Sequence, residues 1–433
     1  MSLGLRLLAK LASPVRDTEQ LLRETSDWLH EKCSDLLPKT RNGFVESSPT
    51  LFCLFHPAAE EVELSLIDPE HLVASANTST VGPGYHIYLC DLLKQWANDF
   101  HASWQQSDEE SSDYWDETEY FFTGDQQRVF DNMTNWLEAL ANTFFEKPIK
   151  LNDYGNALCM PMDVQFESQQ MAITPLGPRD REWLYQTSQD GIKGKDFFAW
   201  WDPSLDSEYF LGRALALMWS NVRWRRPAND QERRLLKEVD NSLRIAYGLN
   251  PSLKYPWTEW REILKNLDTD LEATELFRSH AVGNPTVGYR RRRVWVTLPG
   301  RWRMHIPGSF SEFESDQEHN LFALDPPREI WFTSYRFTVP HDHSFESSKE
   351  KFLAEPAEYI YESVDYVARA TIRKKTRESG EDYFVLSSSN MCRTQRAVCT
   401  ILFSQGDQKE WALETWRSIQ SPSLPVSPSG SET

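Results

Sequence analysis

In VDYVARATIRKKTRESGEDYFVL, residues Val364–Leu386, apolar and polar side chains alternate on both sides of Ser379-Gly380. Period-two alternation broken by a glycine-bearing turn predicts a β-hairpin, with Val364–Ile372 and Tyr383–Leu386 as strands. The same pattern recurs at Val294–Leu298, Trp302–Ile306, Ile330–Phe337 and Val398–Phe403. Gln405-Gly406-Asp407 then leads into a predicted helix over Asp407–Ile419, which carries Trp411, Leu413 and Trp416. A succession of strands closed by one helix implies an antiparallel sheet covered by helix on one face, in a zone spanning 284–420. The Ser/Pro-rich tail 421–433 has no aromatic residue and is expected to be disordered.

Upstream the periodicity changes. Residues 151–283 form a mainly helical, aromatic-rich region, with helices predicted over Arg179–Tyr185, Asp206–Trp224, Asn229–Tyr247 and Trp257–Leu267. Residues 1–150 read as a mixed α/β region. It has helices over Asp17–Leu37, Tyr85–Trp104 and Gln126–Phe145, and strands over Thr50–His56 and Val62–Ile67. The whole is therefore α+β, and the helical region can pack with the first. Gly82-Pro83-Gly84 reads as a tight turn opening a helix. The leucine-rich start, Met1–Ala12, is interrupted by Arg6 and Lys10 and lacks the uninterrupted apolar run of an export signal.

The chain has 433 residues, 17 of them Trp, and a net charge of −19. No run of about 18 apolar residues occurs, so no membrane span is expected. The acidity disfavours nucleic acid as a partner and favours fast association with basic proteins. The six cysteines, Cys33, Cys53, Cys90, Cys159, Cys392 and Cys399, form no CxxC and are too sparse for a disulfide framework. They read as reduced thiols of a cytoplasmic protein.

No phosphate loop, dinucleotide fingerprint, zinc-ligand spacing or nucleophile elbow is present, so no cofactor, metal or catalytic residue is assigned. His86 and Cys90 share a helix face but lack an orienting partner in the sequence. His341-Asp342-His343 reads as a polar turn. Tyr289-Arg290-Arg291-Arg292-Arg293 could meet phosphate, and as a strand it would point alternate arginines to opposite faces. Internal pairing with acids is the simpler account. Arg223, Arg225 and Arg226 flank Trp224, which suits cation–π stacking.

Two stretches are the candidate partner-binding residues. One is the acidic-aromatic run Asp108, Glu109, Glu110, Asp113, Tyr114, Trp115, Asp116 and Glu117, whose acids would steer encounter while its rings anchor. The other is Phe197, Phe198, Trp200 and Trp201, because consecutive large rings on a helix cannot all face one core. These features predict a non-catalytic binding protein of bacterial immunity or inhibitor type that engages a basic protein. The competing expectations are an enzyme with a site assembled from dispersed residues, and a scaffold subunit.

Overall fold

The leucine-rich start becomes the strand β1 (Gly4–Leu11). Leu5, Leu7, Ala9 and Leu11 are buried on one face, while Arg6 and Lys10 occupy the other. That alternation, rather than an export signal or a helix, is what the leucines encode. The computed structural model describes residues 3–105, 113–146, 156–157, 164–165, 172–269, 283–314, 320–336, 345–362 and 366–422. The chain divides into two units. The first holds Met1–Met162, Glu167–Val222 and Gln231–Gly288; the second holds Asp163–Phe166, Arg223–Asp230 and Tyr289–Thr433.

In the first unit, α1 (Thr18–Lys32) starts at Asp17, whose carboxylate accepts from the Gln20 N–H at 3.0 Å. The strands β2 (Lys39–Val45), β3 (Ser48–Leu54), β4 (Val62–Asp68) and β5 (His71–Asn77) follow. Next come α2 (Pro83–Asp99), β6 (Ala102–Trp104) and β7 (Trp115–Asp116). They form an antiparallel sheet in the order β2-β3-β4-β5-β1-β6, and β7 also pairs with β1. The helix expected to reach Trp104 stops at Asp99. His101 takes a left-handed φ of 52°, and Ala9 pairs with Trp104 on β6. Two helices follow, α3 (Tyr120–Thr123) and α4 (Gln126–Glu146).

The chain continues through the short strands β8 (Asn156–Ala157), β9 (Val164–Gln165), β10 (Ala172–Thr174) and β11 (Gly177–Arg179). Of these, β8, β10 and β11 form a small sheet. The helices α5 (Arg181–Gln189), α6 (Ser207–Ser220), α7 (Asp230–Leu249) and α8 (Trp257–Asn266) lie near their predicted positions. One apolar core runs from Leu5 through Trp96, Trp136 and Trp200 to Ala216, so residues of the first two sequence zones share it. Each buried Trp removes roughly 200 Å² from water, an upper-bound stabilisation of about 5 kcal/mol.

In the second unit, β12 (Arg293–Leu298) pairs with β13 (Trp302–Pro307) and with β9. A seven-stranded antiparallel sheet is built from β14 (Ser311–Glu314), β15 (Asn320–Asp325), β16 (Arg328–Arg336), β17 (Tyr359–Glu362), β18 (Tyr366–Thr376), β19 (Asp382–Cys392) and β20 (Gln395–Phe403). Their order is β14-β15-β16-β20-β19-β18-β17. The hairpin read from Val364–Leu386 is β18–β19, which begins at Tyr366, runs on to Cys392 and is centred on the predicted turn, where Thr376 pairs with Asp382.

The terminal helix α10 (Lys409–Arg417) covers one face of this sheet, its buried Trp416 donating to Asn390 Oδ1 at 3.3 Å. A second helix, α9 (Phe345–Leu353), was not read from the sequence. Its Phe352 packs on Val367 and Met391, which neighbour Ala368 and Asn390 and so point to the opposite face. The protein is thus α+β, with two large antiparallel sheets of seven strands each among the described residues. No helix among the described residues is long and apolar enough to cross a membrane. Five described cysteines are free and buried, and Cys159 lies outside the described residues.

Candidate functional site

The acidic-aromatic run is held in place by a buried histidine. Along Asp113–Tyr120, exposure alternates: Asp113, Trp115, Glu117 and Glu119 face outward, while Asp116, Thr118 and Tyr120 face inward. The Asp116 carboxylate accepts the Thr118 N–H and hydroxyl at 2.9 Å each and the Phe121 N–H at 2.7 Å. Thr118 therefore spends its proton on Asp116 and accepts from His86 Nε2 at 2.8 Å. His86 Nδ1 lies 2.8 Å from the Thr78 hydroxyl, a second hydrogen bond to the ring. His86 and Thr118 are fully buried. Burial alone would raise the Asp116 carboxyl; the His86 hydrogen bond and charge and the two N–H donors outweigh it and hold the group below its ordinary range.

This network ties the run to the start of α2 and the end of β5, so its outward residues project from a fixed frame. Trp115 is 42% exposed on β7. Glu117 accepts the Gly4 N–H at 2.8 Å, and Glu119 pairs with Arg128 at 2.6 Å. Tyr114 is half-buried, with the Arg6 guanidinium 5.9 Å from its ring centre. Asp116 is a correction: it is an internal anchor, turned inward by the strand alternation, and offers no surface charge. Asp108, Glu109 and Glu110 lie outside the described residues, as does His341-Asp342-His343.

The same cluster brings a His86 ring nitrogen, Cys90 Sγ and an Asp116 oxygen within 4.8 Å of one another, a spacing that metal ligands adopt. Both ring nitrogens already have hydroxyl partners, and burial pushes the Cys90 thiol well above its ordinary value. The hydrogen bonding of the imidazole is complete without an ion. Zero exposure also closes the cluster to any substrate, so the shared face of His86 and Cys90 does not make an accessible dyad.

The second candidate stretch is corrected outright. Phe197, Phe198 and Trp200 are 0%, 5% and 1% exposed, and only Trp201 is half-buried. The expectation assumed a helix, but the chain leaves a 3₁₀ turn at Phe197 and runs extended across the start of α2. There the Trp200 N–H donates to the Val81 carbonyl at 3.0 Å, and the Gly84 N–H donates to the Trp200 carbonyl at 3.1 Å. Gly82 and Gly84 permit this approach: a Cβ on Gly84 would lie 2.4 Å from the Asp202 carbonyl oxygen, and one on Gly82 2.6 Å from that of Trp200. The extended path lets rings from adjacent residues enter one core, where Trp200 meets Tyr209 at 4.4 Å and Tyr88 at 5.1 Å.

Sequence reading missed the link between His86 and Asp116, although the inward set Asp116, Thr118 and Tyr120 already had strand spacing.

No family model matches the chain, and no curated protein matches it. Among solved structures, a protein of Bacteroides thetaiotaomicron VPI-5482 is similar at 13% identity and a TM-score of 0.24. That match covers 31% of this chain and 49% of the other, about half its length, and carries no functional argument.

Proposed function

We propose that the protein is a non-catalytic binding protein of inhibitor or immunity type, whose acidic first unit engages a basic protein. The observation that carries this reading is the distribution of charge. Basic and acidic residues balance across the second unit, so the whole net charge of −19 resides in the first. Such a field speeds encounter with a cationic partner. The anchored run supplies an exposed ring, Trp115, beside the outward acids Asp113 and Glu117, which is the pairing of steering charge and aromatic anchor found at binding hot spots.

The test is capture by the tagged full chain from its native host at low salt, followed by mass spectrometry and a salt series. A stoichiometric basic protein should appear. Its association rate should drop at least tenfold between about 0.05 and 0.5 M salt. Trp115→Ala should raise the dissociation rate, and Asp113→Lys should slow association. Enrichment of acidic or neutral proteins only, or salt-independent association, would refute the reading.

A further inference from the structure

A pocket of about 50 Å³ opens in the first unit where the turn after β3 meets α6 and α7. His56 on the turn, Arg213 on α6, Glu238 on α7 and Lys39 at the start of β2 belong to its lining. The Arg213 guanidinium donates to the Phe55 carbonyl at 3.1 Å and to Glu238 at 2.6 Å, which ties the turn to both helices. Both side chains of that ion pair are largely buried, and each spends its charge on the other. The frame of the pocket is therefore fixed before anything enters it.

His56 is the residue that the fold leaves unfinished. Its ring centre lies 6.3 Å from that of Trp200 and 5.9 Å from that of Tyr209. Nδ1 accepts the Ala58 N–H at 3.1 Å. Burial, and then the Arg213 charge, hold the pKa well below its ordinary value, so the ring is neutral and its one proton sits on Nε2. That N–H is buried and has no hydrogen-bond partner among the described residues. An unpaired buried donor is costly, and an acceptor from outside the chain removes the cost. A protonated Nε2 has no lone pair for a metal ion, so the group it calls for is an acceptor.

Lys39 supplies a second donor. Its side chain is exposed, and it has no hydrogen bond or ion pair among the described residues. Apolar walls stand beside these donors, from Leu217 on α6 and from Leu37. Leu37 ends a 3₁₀ turn at a left-handed φ of 49°, which a bulky residue rarely adopts, and its side chain is 56% exposed. A water-sized group needs about 10–15 Å³ of such space, so the pocket takes about four non-hydrogen atoms.

We propose that this pocket binds a short-chain monocarboxylate. One carboxylate oxygen accepts from His56 Nε2 and the other from the Lys39 ammonium, while the alkyl end lies on Leu37 and Leu217. Two donors without acceptors call for a group with two acceptor oxygens, and hydrogen bonds between charged partners are the stronger kind. None of these residues belongs to the acidic-aromatic run, so this inference and the basic-partner reading fail independently.

Nuclear magnetic resonance of the full chain, labelled with ¹⁵N in histidine only, tests it. The His56 signal is assigned by its loss in His56→Asn. Sodium acetate should shift the His56 Nε2–H signal saturably, with the millimolar Kd that so few atoms allow. Acetamide has the same shape but one acceptor oxygen, and should bind about tenfold more weakly. Lys39→Met, at an exposed position that folding tolerates, should weaken acetate binding about tenfold, and Lys39→Arg should restore most of the loss. Lys375→Gln, exposed on β18 of the second unit, should change nothing. Three results would each overturn the assignment: no shift with acetate up to about 0.1 M at matched ionic strength, acetamide binding as tightly as acetate, or Lys39→Met binding like the native chain. A His56 proton shielded from exchange yet unmoved by acetate would assign the pocket to ordered water, and would overturn it too.

Discussion

His56 shows how a single residue sets a pH dependence. Its Nδ1 accepts the Ala58 N–H at 3.1 Å, and it is 1% exposed. Burial first, and the Arg213 charge second, push its pKa well below the ordinary value. The unfolded chain thus takes up a proton that the folded chain refuses, so the stabilisation is complete above about pH 6.5 and is lost as pH falls. His56→Asn keeps an acceptor for Ala58 and removes the titration, and urea midpoints measured from pH 7.5 to 5.5 should fall less steeply than in the native chain. Asp116 follows the same sign in a lower window: its contribution is intact above about pH 5 and declines as the carboxyl protonates. Glu312 bridges two arginines, one of them, Arg290, 4% exposed. Glu312→Ala should cost about 3–5 kcal/mol in chemical denaturation, because it strands a buried cation. A cost under 1 kcal/mol would mean that Arg290 relaxes to water.

At the scale of elements, Gly84 governs how the 198–202 segment docks on α2. Gly84→Ala should cost about 1–3 kcal/mol, because the methyl group meets backbone that cannot swing aside. An unchanged urea midpoint would show that the segment yields easily. Elements with long, clean periods were legible in the sequence: β18–β19, β20, α4, α7 and α10 all lie close to where alternation or helical spacing put them. The missed strands had weaker patterns. In β1 the neighbours Leu7 and Leu8 blur the alternation, and in β15 the run Leu321-Phe322-Ala323-Leu324 is apolar on both faces and shows none. The binding stretches were legible as composition but not as orientation. Asp116 sits in an acidic run yet turns inward, and Trp200 sits among rings read as surface yet lies in the core, because each is placed by partners far along the chain: His86 for one, Gly82 and Gly84 for the other. The pocket at His56 was hidden for the same reason, since Lys39, His56 and Arg213 are brought together only by folding.

Across the whole molecule, the charge imbalance separates the behaviour of the two units. Self-repulsion within the acidic unit is relieved by added salt, while the neutral unit has little to relieve. Calorimetry from about 0.05 to 0.5 M sodium chloride should therefore raise the first unit's transition more than the second's, and equal shifts would contradict the assignment. The path of the chain has a further consequence. Asp163–Phe166 and Arg223–Asp230 belong to the second unit, although the residues around them belong to the first. The second unit takes β9 and Trp224 from these two excursions. A gene fragment beginning at the codon for Tyr289 would encode the second unit without β9 and Trp224, and one ending at Gly288 would carry two orphaned pieces of the other unit. No single breakpoint yields the second unit whole, so it is not inherited apart from the segment that encodes the acidic unit.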